Sequence, residues 1–94
     1  NGKYVQQGVA RYIINTDNES CEFAIVVSDN YQNQGIGTRL MKALMDAARY
    51  HNLDKMEGTV LSKNTGMLQL MSELGFSKRR AVGDSDIFLV WRWL

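Results

Sequence analysis

The chain has 94 residues, 45% apolar and 22% charged, which fits one compact domain with a real core and excludes two. Eleven Lys and Arg against ten Asp and Glu leave a formal charge of +1, so no global field draws nucleic acid or an anionic membrane to it, and any anion site has to be local. The single cysteine, Cys21, can close no internal bridge, no apolar run approaches the ~20 residues of a bilayer span, and the N-terminus lacks the order of a signal peptide, so the expectation is a reducing, cytoplasmic setting.

The chain opens on Asn1, almost directly into a strand-like stretch, and so reads as the tail of a longer domain or protein. Residues 8–14 (GVARYII) are rich in β-branched and aromatic side chains and run into the turn formers Asn15-Thr16-Asp17-Asn18. Residues 21–27 (CEFAIVV) resume the pattern, which predicts an antiparallel hairpin. A loop with two close glycines follows, then helical periodicity over about 35–51, with Ile36, Leu40, Ala43, Leu44, Ala47 and Ala48 near one face and Arg39, Lys42, Asp46 and Arg49 on another. Residues 56–61 (MEGTVL) predict a short strand. Ser62-Lys63-Asn64-Thr65 offers helix starters, Met67, Leu68, Leu70, Met71 and Leu74 recur at helical spacing, and Gly75 stops the helix. From Phe76 a polar connection through Gly83-Asp84 leads to residues 87–94 (IFLVWRWL), read as a buried strand. Without internal repeat or linker, this order is one α+β unit over residues 1–94.

The sharpest feature is Gln32-x-x-Gly35-x-Gly37-Thr38 between a hydrophobic strand and an amphipathic helix. Glycine permits close approach and unusual φ, and a helix start leaves amides without intrahelical partners, so such a junction can cradle a pyrophosphate. A glycine turn that merely starts a helix is the plainer alternative. The Rossmann and Walker patterns both fail here, since Leu40 stands three positions after Gly37 and no Gly-Lys-Ser/Thr occurs.

The stretch Gln32-Asn33-Gln34-Gly35-Ile36-Gly37-Thr38-Arg39-Leu40-Met41 resembles motif A of the GCN5-related N-acetyltransferases, and Asn64-x-x-Met67-Leu68-x-x-Met71-x-x-Leu74-Gly75-Phe76 resembles their motif B, a helix closed by Gly-Phe. With the strand Glu22-Phe23-Ala24-Ile25-Val26-Val27 the chain is most similar to the C-terminal acetyltransferase domain of bacterial protein lysine acetyltransferases fused to an acyl-CoA synthetase-like region. The resemblance implies a mixed, mainly antiparallel sheet flanked by helices, without the family's usual N-terminal strand and helices. It also implies acetyl-CoA as cosubstrate, lying where two neighbouring strands splay apart. The pantetheine arm would pair with backbone groups of Ile25, Val26 and Val27, and with Asn64, whose alternative role is to cap the helix. The pyrophosphate would rest on the amides from Gln34 through Arg39, in the loop opened by Gln32.

The same resemblance makes Glu22 the expected general base, because an amine near pKa ~10.4 is mostly ammonium at neutral pH and must lose a proton before it can attack a thioester. Strand alternation puts Glu22, Ala24 and Val26 on one face and Phe23, Ile25 and Val27 on the other, unless a bulge intervenes. In the nuclear histone enzymes the matching glutamate sits one residue earlier, where this chain has Cys21; Glu19 is the next carboxylate. Met71 stands where many relatives carry a tyrosine that protonates the departing thiolate, leaving Tyr31 or water to serve. The acceptor implied is a primary amine, a protein lysine first, with a polyamine, amino sugar or antibiotic as the alternative and an acyl-CoA sensor without turnover as a third. A second subunit or further chain would complete the acceptor side.

Other residues read as structural. Met41, Met45, Met67 and Met71 are core fillers. His51 lacks partners at ligand spacing, and no metal is expected. Trp91 and Trp93 pack against a helix, or one lines the acceptor channel; Lys78-Arg79-Arg80 is a solvated turn, with contact to a CoA phosphate as the alternative; Cys21 as an acyl carrier lacks a paired histidine.

Overall fold

The computed structural model describes residues 8–27 and 35–94 of the chain. Strands β1 (Gly8–Ile14) and β2 (Ser20–Val27) form the expected hairpin, in register from Ile14↔Cys21 to Gly8↔Val27. The turn between them is held by the Asp17 carboxylate, which accepts from the amides of Glu19 at 2.8 Å and Ser20 at 3.0 Å, while Asn18 takes a left-handed φ of 59° that asparagine tolerates. These bonds hold the Asp17 carboxyl below its ordinary pKa, the Glu19 amide contributing most.

Helix α1 (Ile36–Tyr50) starts at Gly35, whose φ of 77° only glycine adopts without strain. Its buried stripe runs through Met41, Leu44, Met45 and Ala48, with Leu40 and Ala47 half-buried and Ala43 exposed. The helix is thus turned further towards its methionines than the alanine-rich stripe suggested. Long, flexible thioethers reach the sheet and fill its surface where alanine leaves a gap.

Strand β3 (Lys55–Leu61) leads to helix α2 (Thr65–Glu73), where Asn64 Oδ1 accepts from the Met67 amide at 3.1 Å and caps the first turn. The helix ends in paired closing bonds, Phe76 N–H to the Met71 carbonyl and Gly75 N–H to the Ser72 carbonyl, with Gly75 at φ 85°. Gly-Phe is therefore a stop in which glycine makes the left-handed step and Phe76 is turned into the core.

Past Phe76 the structure corrects the sequence reading. The supposed polar connection is strand β4 (Ser77–Ala81), paired antiparallel with β5 (Asp84–Trp93), which starts three residues before the apolar run at 87. Lys78-Arg79-Arg80 is this strand and not a turn. Its residues lack apolar alternation because it is a charged edge, and the chain holds it by pairing with β5 and by setting Lys78 and Arg80 5.1 and 4.6 Å from the centre of the Phe88 ring. Within β5 Val90 alone is buried, on the face that meets the core.

The described residues form a five-stranded sheet in the order β1-β2-β3-β5-β4, with β2 and β3 parallel and the other pairs antiparallel. One core joins Cys21, Phe23, Met56, Val60 and Val90 of the sheet to Met41, Leu44 and Met45 of α1 and Met71 of α2. The opposite face carries Val9, Ile13, Leu61 and Trp93 in exposed positions. This is the expected mixed, mainly antiparallel architecture.

Candidate functional site

Strands β2 and β3 run side by side only over Ser20↔Lys55, Cys21↔Met56 and Glu22↔Glu57. Beyond that last pair β2 is bonded to β1 alone and β3 to β5 alone, so the two strands splay apart. The Phe23 ring lies on Gly58 at the first position past the last pair: a Cβ there would stand 2.6 Å from the ring. Phe23 in turn meets Phe76 edge to face at 5.7 Å between ring centres, so the Gly-Phe stop of α2 buttresses the point of separation. Among the described residues no strand pairs with Ile25, Val26 and Val27 on the β3 side, which leaves N–H and C=O groups there able to pair with an extended ligand.

A cleft of about 490 Å³ opens from this edge, lined by Ile25 and Val26, by Gly35, Gly37 and Thr38 of the α1 start, and by Asn64, Met67 and Leu70 of α2. Helix α1 has no side-chain cap and no acidic residue in its first turn. Among the described residues the amides of Ile36, Gly37 and Thr38 have no hydrogen-bond partner, as at any helix start, and the positive end of the helix dipole lies behind them. Arg39 departs from the expectation, because its amide donates to the Gly35 carbonyl at 3.1 Å and is spent in the helix's own first bond. Gln32 and Gln34, with Tyr31, lie outside the described residues. Asn64 caps α2 and also lines the cleft.

Glu22 faces the other side of the sheet. The β1–β2 register runs without a shift from Cys21 to Val27, so no bulge disturbs the alternation; Glu22, Ala24 and Val26 are exposed, Phe23 is buried and Ile25 half-buried. A second cleft of about 370 Å³ lies there, bounded by Glu22, Glu57, Thr59, Arg79, Leu89 and Trp91. Lys55 at its edge places Nζ 3.6 Å from Glu57 Oε1. Trp91 and Trp93 stand on this face, which carries no helix among the described residues, so the expected packing against a helix is corrected to a place for Trp91 as a wall of the second cleft. Glu19 sits in the hairpin turn and lines a separate groove with Asp17 and Asp54.

Three further residues are settled by burial. Cys21 is fully buried, its thiol donates to the Lys55 carbonyl at 3.7 Å, and burial, aided by the Glu57 charge, pushes its pKa up; it is a core group and not an acyl carrier. Met71 is buried in the core, while Leu70 faces the first cleft. His51 is an exposed C-cap of α1, and among the described residues no group of three His, Cys, Asp or Glu could hold a metal ion. The residue that sequence reasoning missed is Glu57. Alternation along residues 56–61 puts it on the outer face, but its place beside Glu22 depends on a parallel register between segments 35 residues apart.

Residues 3–76 match the Acetyltransferase (GNAT) family. The chain is 32% identical over 84 residues to Acetyltransferase PA5475 of Pseudomonas aeruginosa, a match covering 89% of this chain and 45% of that protein. Its fold overlays on the GNAT domain of S. lividans PAT with a TM-score of 0.82 at 19% identity, covering 93% of this chain and 53% of that one. It overlays on yncA of Salmonella typhimurium, whose structure holds its cofactor acetyl-CoA, with a TM-score of 0.81 at 23% identity, covering 98% of this chain and 60% of that one. The chain spans about half the length of these proteins.

Proposed function

The chain belongs to the GNAT acetyltransferase family, and on that premise we propose that it transfers the acetyl group of acetyl-CoA to a primary amine, a protein lysine first, by direct attack with Glu22 as the base. One observation carries the reading: strand pairing stops at Glu22↔Glu57, so the unpaired edge of β2 on one side and the Glu22 carboxylate on the other meet at a single point of the sheet. The amides of Ile36 to Thr38 would take the pyrophosphate, and the free backbone groups of Ile25 to Val27 the pantetheine arm.

An acceptor entering the outer cleft arrives mainly as ammonium. Glu22 takes its proton, directly or through water, and the neutral nitrogen can then attack the thioester carbonyl. The carbon–sulfur bond breaks, and a thiol of pKa ~8.5 is a tolerable leaving group that water can protonate. No hydroxyl acid is needed where Met71 lies.

Glu22→Gln tests this. Transfer, followed as release of free CoA thiol, is expected to fall by roughly 10²–10⁴-fold, while calorimetric titration finds acetyl-CoA binding unchanged. Full turnover by the variant removes Glu22 from the mechanism. Binding without any turnover by the unmutated chain favours the sensor reading.

A further inference from the structure

The outer cleft holds a second carboxylate for which acid–base chemistry has no use. Glu57 is the direct partner of Glu22 across the last parallel pair, and on its other side it is the direct partner of Trp91. Three adjacent strands therefore present a carboxylate, a carboxylate and an indole in one row. Neighbouring strands stand ~4.8 Å apart, so an ammonium group can reach both carboxylates while its alkyl carbons lie towards the indole. An ammonium has three donors and no acceptor, which two carboxylates satisfy better than one, and an indole adds an apolar wall for the methylenes.

The chain itself shows how this surface treats an ammonium. Lys55, one turn of the pleat before Glu57, lies with Nζ 3.6 Å from Glu57 Oε1 and 5.3 Å from the centre of the Trp93 ring. It is half-buried and forms an ion pair with Glu57, whereas Arg11 pairs with Ala24 on the far side of Glu22 and Arg79 bounds the cleft from β4, at the end away from Glu22.

We infer that Glu57, walled by Trp91, is the specificity residue that docks the acceptor in its ammonium form beside Glu22, and that Lys55 competes with the acceptor for that carboxylate. The inference rests on the acetyltransferase reading and adds the residue that selects the acceptor's charge state, whether the ammonium is carried by a lysine side chain or by a polyamine. Charge at the attacked nitrogen is selected before Glu22 removes it.

The test uses the full chain with Glu57→Gln and Lys55→Gln, a lysine-containing peptide and spermidine as two arms, p-anisidine as an amine neutral at the assay pH, and acetyl-CoA titration as the control. The expected result is that Glu57→Gln raises KM for the ammonium acceptor roughly five- to tenfold with kcat largely kept, and leaves p-anisidine unaffected. Lys55→Gln moves KM for the same acceptor the opposite way, which a merely structural role for Glu57 would not produce. Which arm responds tells lysine from polyamine. An unchanged KM in Glu57→Gln, or an equal rise for p-anisidine, overturns the inference while Glu22→Gln still tests the base. Absence of acetyl-CoA binding by the unmutated chain overturns the reading beneath it and the inference with it.

Discussion

The two clefts on either side of the β2–β3 splay are built from different materials. The helix-side cleft offers mainly backbone: unpaired groups along Ile25 to Val27 and the free amides at the start of α1. The outer cleft offers side chains, with Glu22, Glu57 and Trp91 supplied by three strands. A backbone site is insensitive to most substitutions and vulnerable only where bulk or charge blocks the approach, whereas a side-chain site can be retuned one residue at a time. A constant cosubstrate suits the first and a variable acceptor the second, so one fold can keep its donor and change its acceptor.

The largest effect that would break this contrast is expected at the α1 start. Gly37→Glu puts bulk and negative charge at a buried glycine among the free amides and should weaken acetyl-CoA binding by more than a hundredfold, about 2.7 kcal/mol, in calorimetric titration. Thr38→Asp keeps the fold testable, because an acidic residue in the first turn favours the helix by about 0.3–1 kcal/mol while repelling a pyrophosphate. A variant more stable than the parent and weaker for acetyl-CoA is the outcome expected of an anion cradle. Unchanged binding in both variants would show that the glycines only start a helix.

A middle-sized effect should strike both clefts together. Gly58→Ala places a Cβ 2.6 Å from the Phe23 ring at the point of strand separation and is expected to cost about 1–3 kcal/mol in urea unfolding. It should also raise both the acetyl-CoA Kd and the acceptor KM. If only one constant moves, the clefts are less coupled than their shared apex implies. The smallest effect belongs to Asn64→Ala: loss of the cap should lower stability by about 1 kcal/mol, with acetyl-CoA affinity falling less than threefold. A larger fall would show that the helix-side cleft depends on a side chain after all.

Much of the helix-side cleft was legible in the sequence because its parts are local. Gly35 and Gly37 before an apolar period announce a helix start, and Gly75-Phe76 announces its counterpart, each through conformations that few residues adopt. Glu22 on the outer face followed from simple alternation, since no bulge interrupts β2. Strand β4 was not legible: Ser-Lys-Arg-Arg-Ala has no strand-like pattern of its own and becomes a strand by pairing with β5. The rotation of α1 towards Met41 and Met45 was equally hidden, because alanine and methionine both satisfy a helical stripe and the shape of the facing sheet chooses between them.

By itself, then, the sequence determined the order of elements as far as the second helix, the places where both helices begin and end, and that Glu22 shares a face with Ala24 and Val26, all set by steric and hydrogen-bonding preferences within a few residues. Tertiary structure alone decided where β2 and β3 part company, and with it that Glu57 stands beside Glu22 and Trp91 beside Glu57. Parallel register joins segments that share no turn, so it is set by how Phe23, Gly58 and Phe76 pack in three dimensions, which no local pattern encodes.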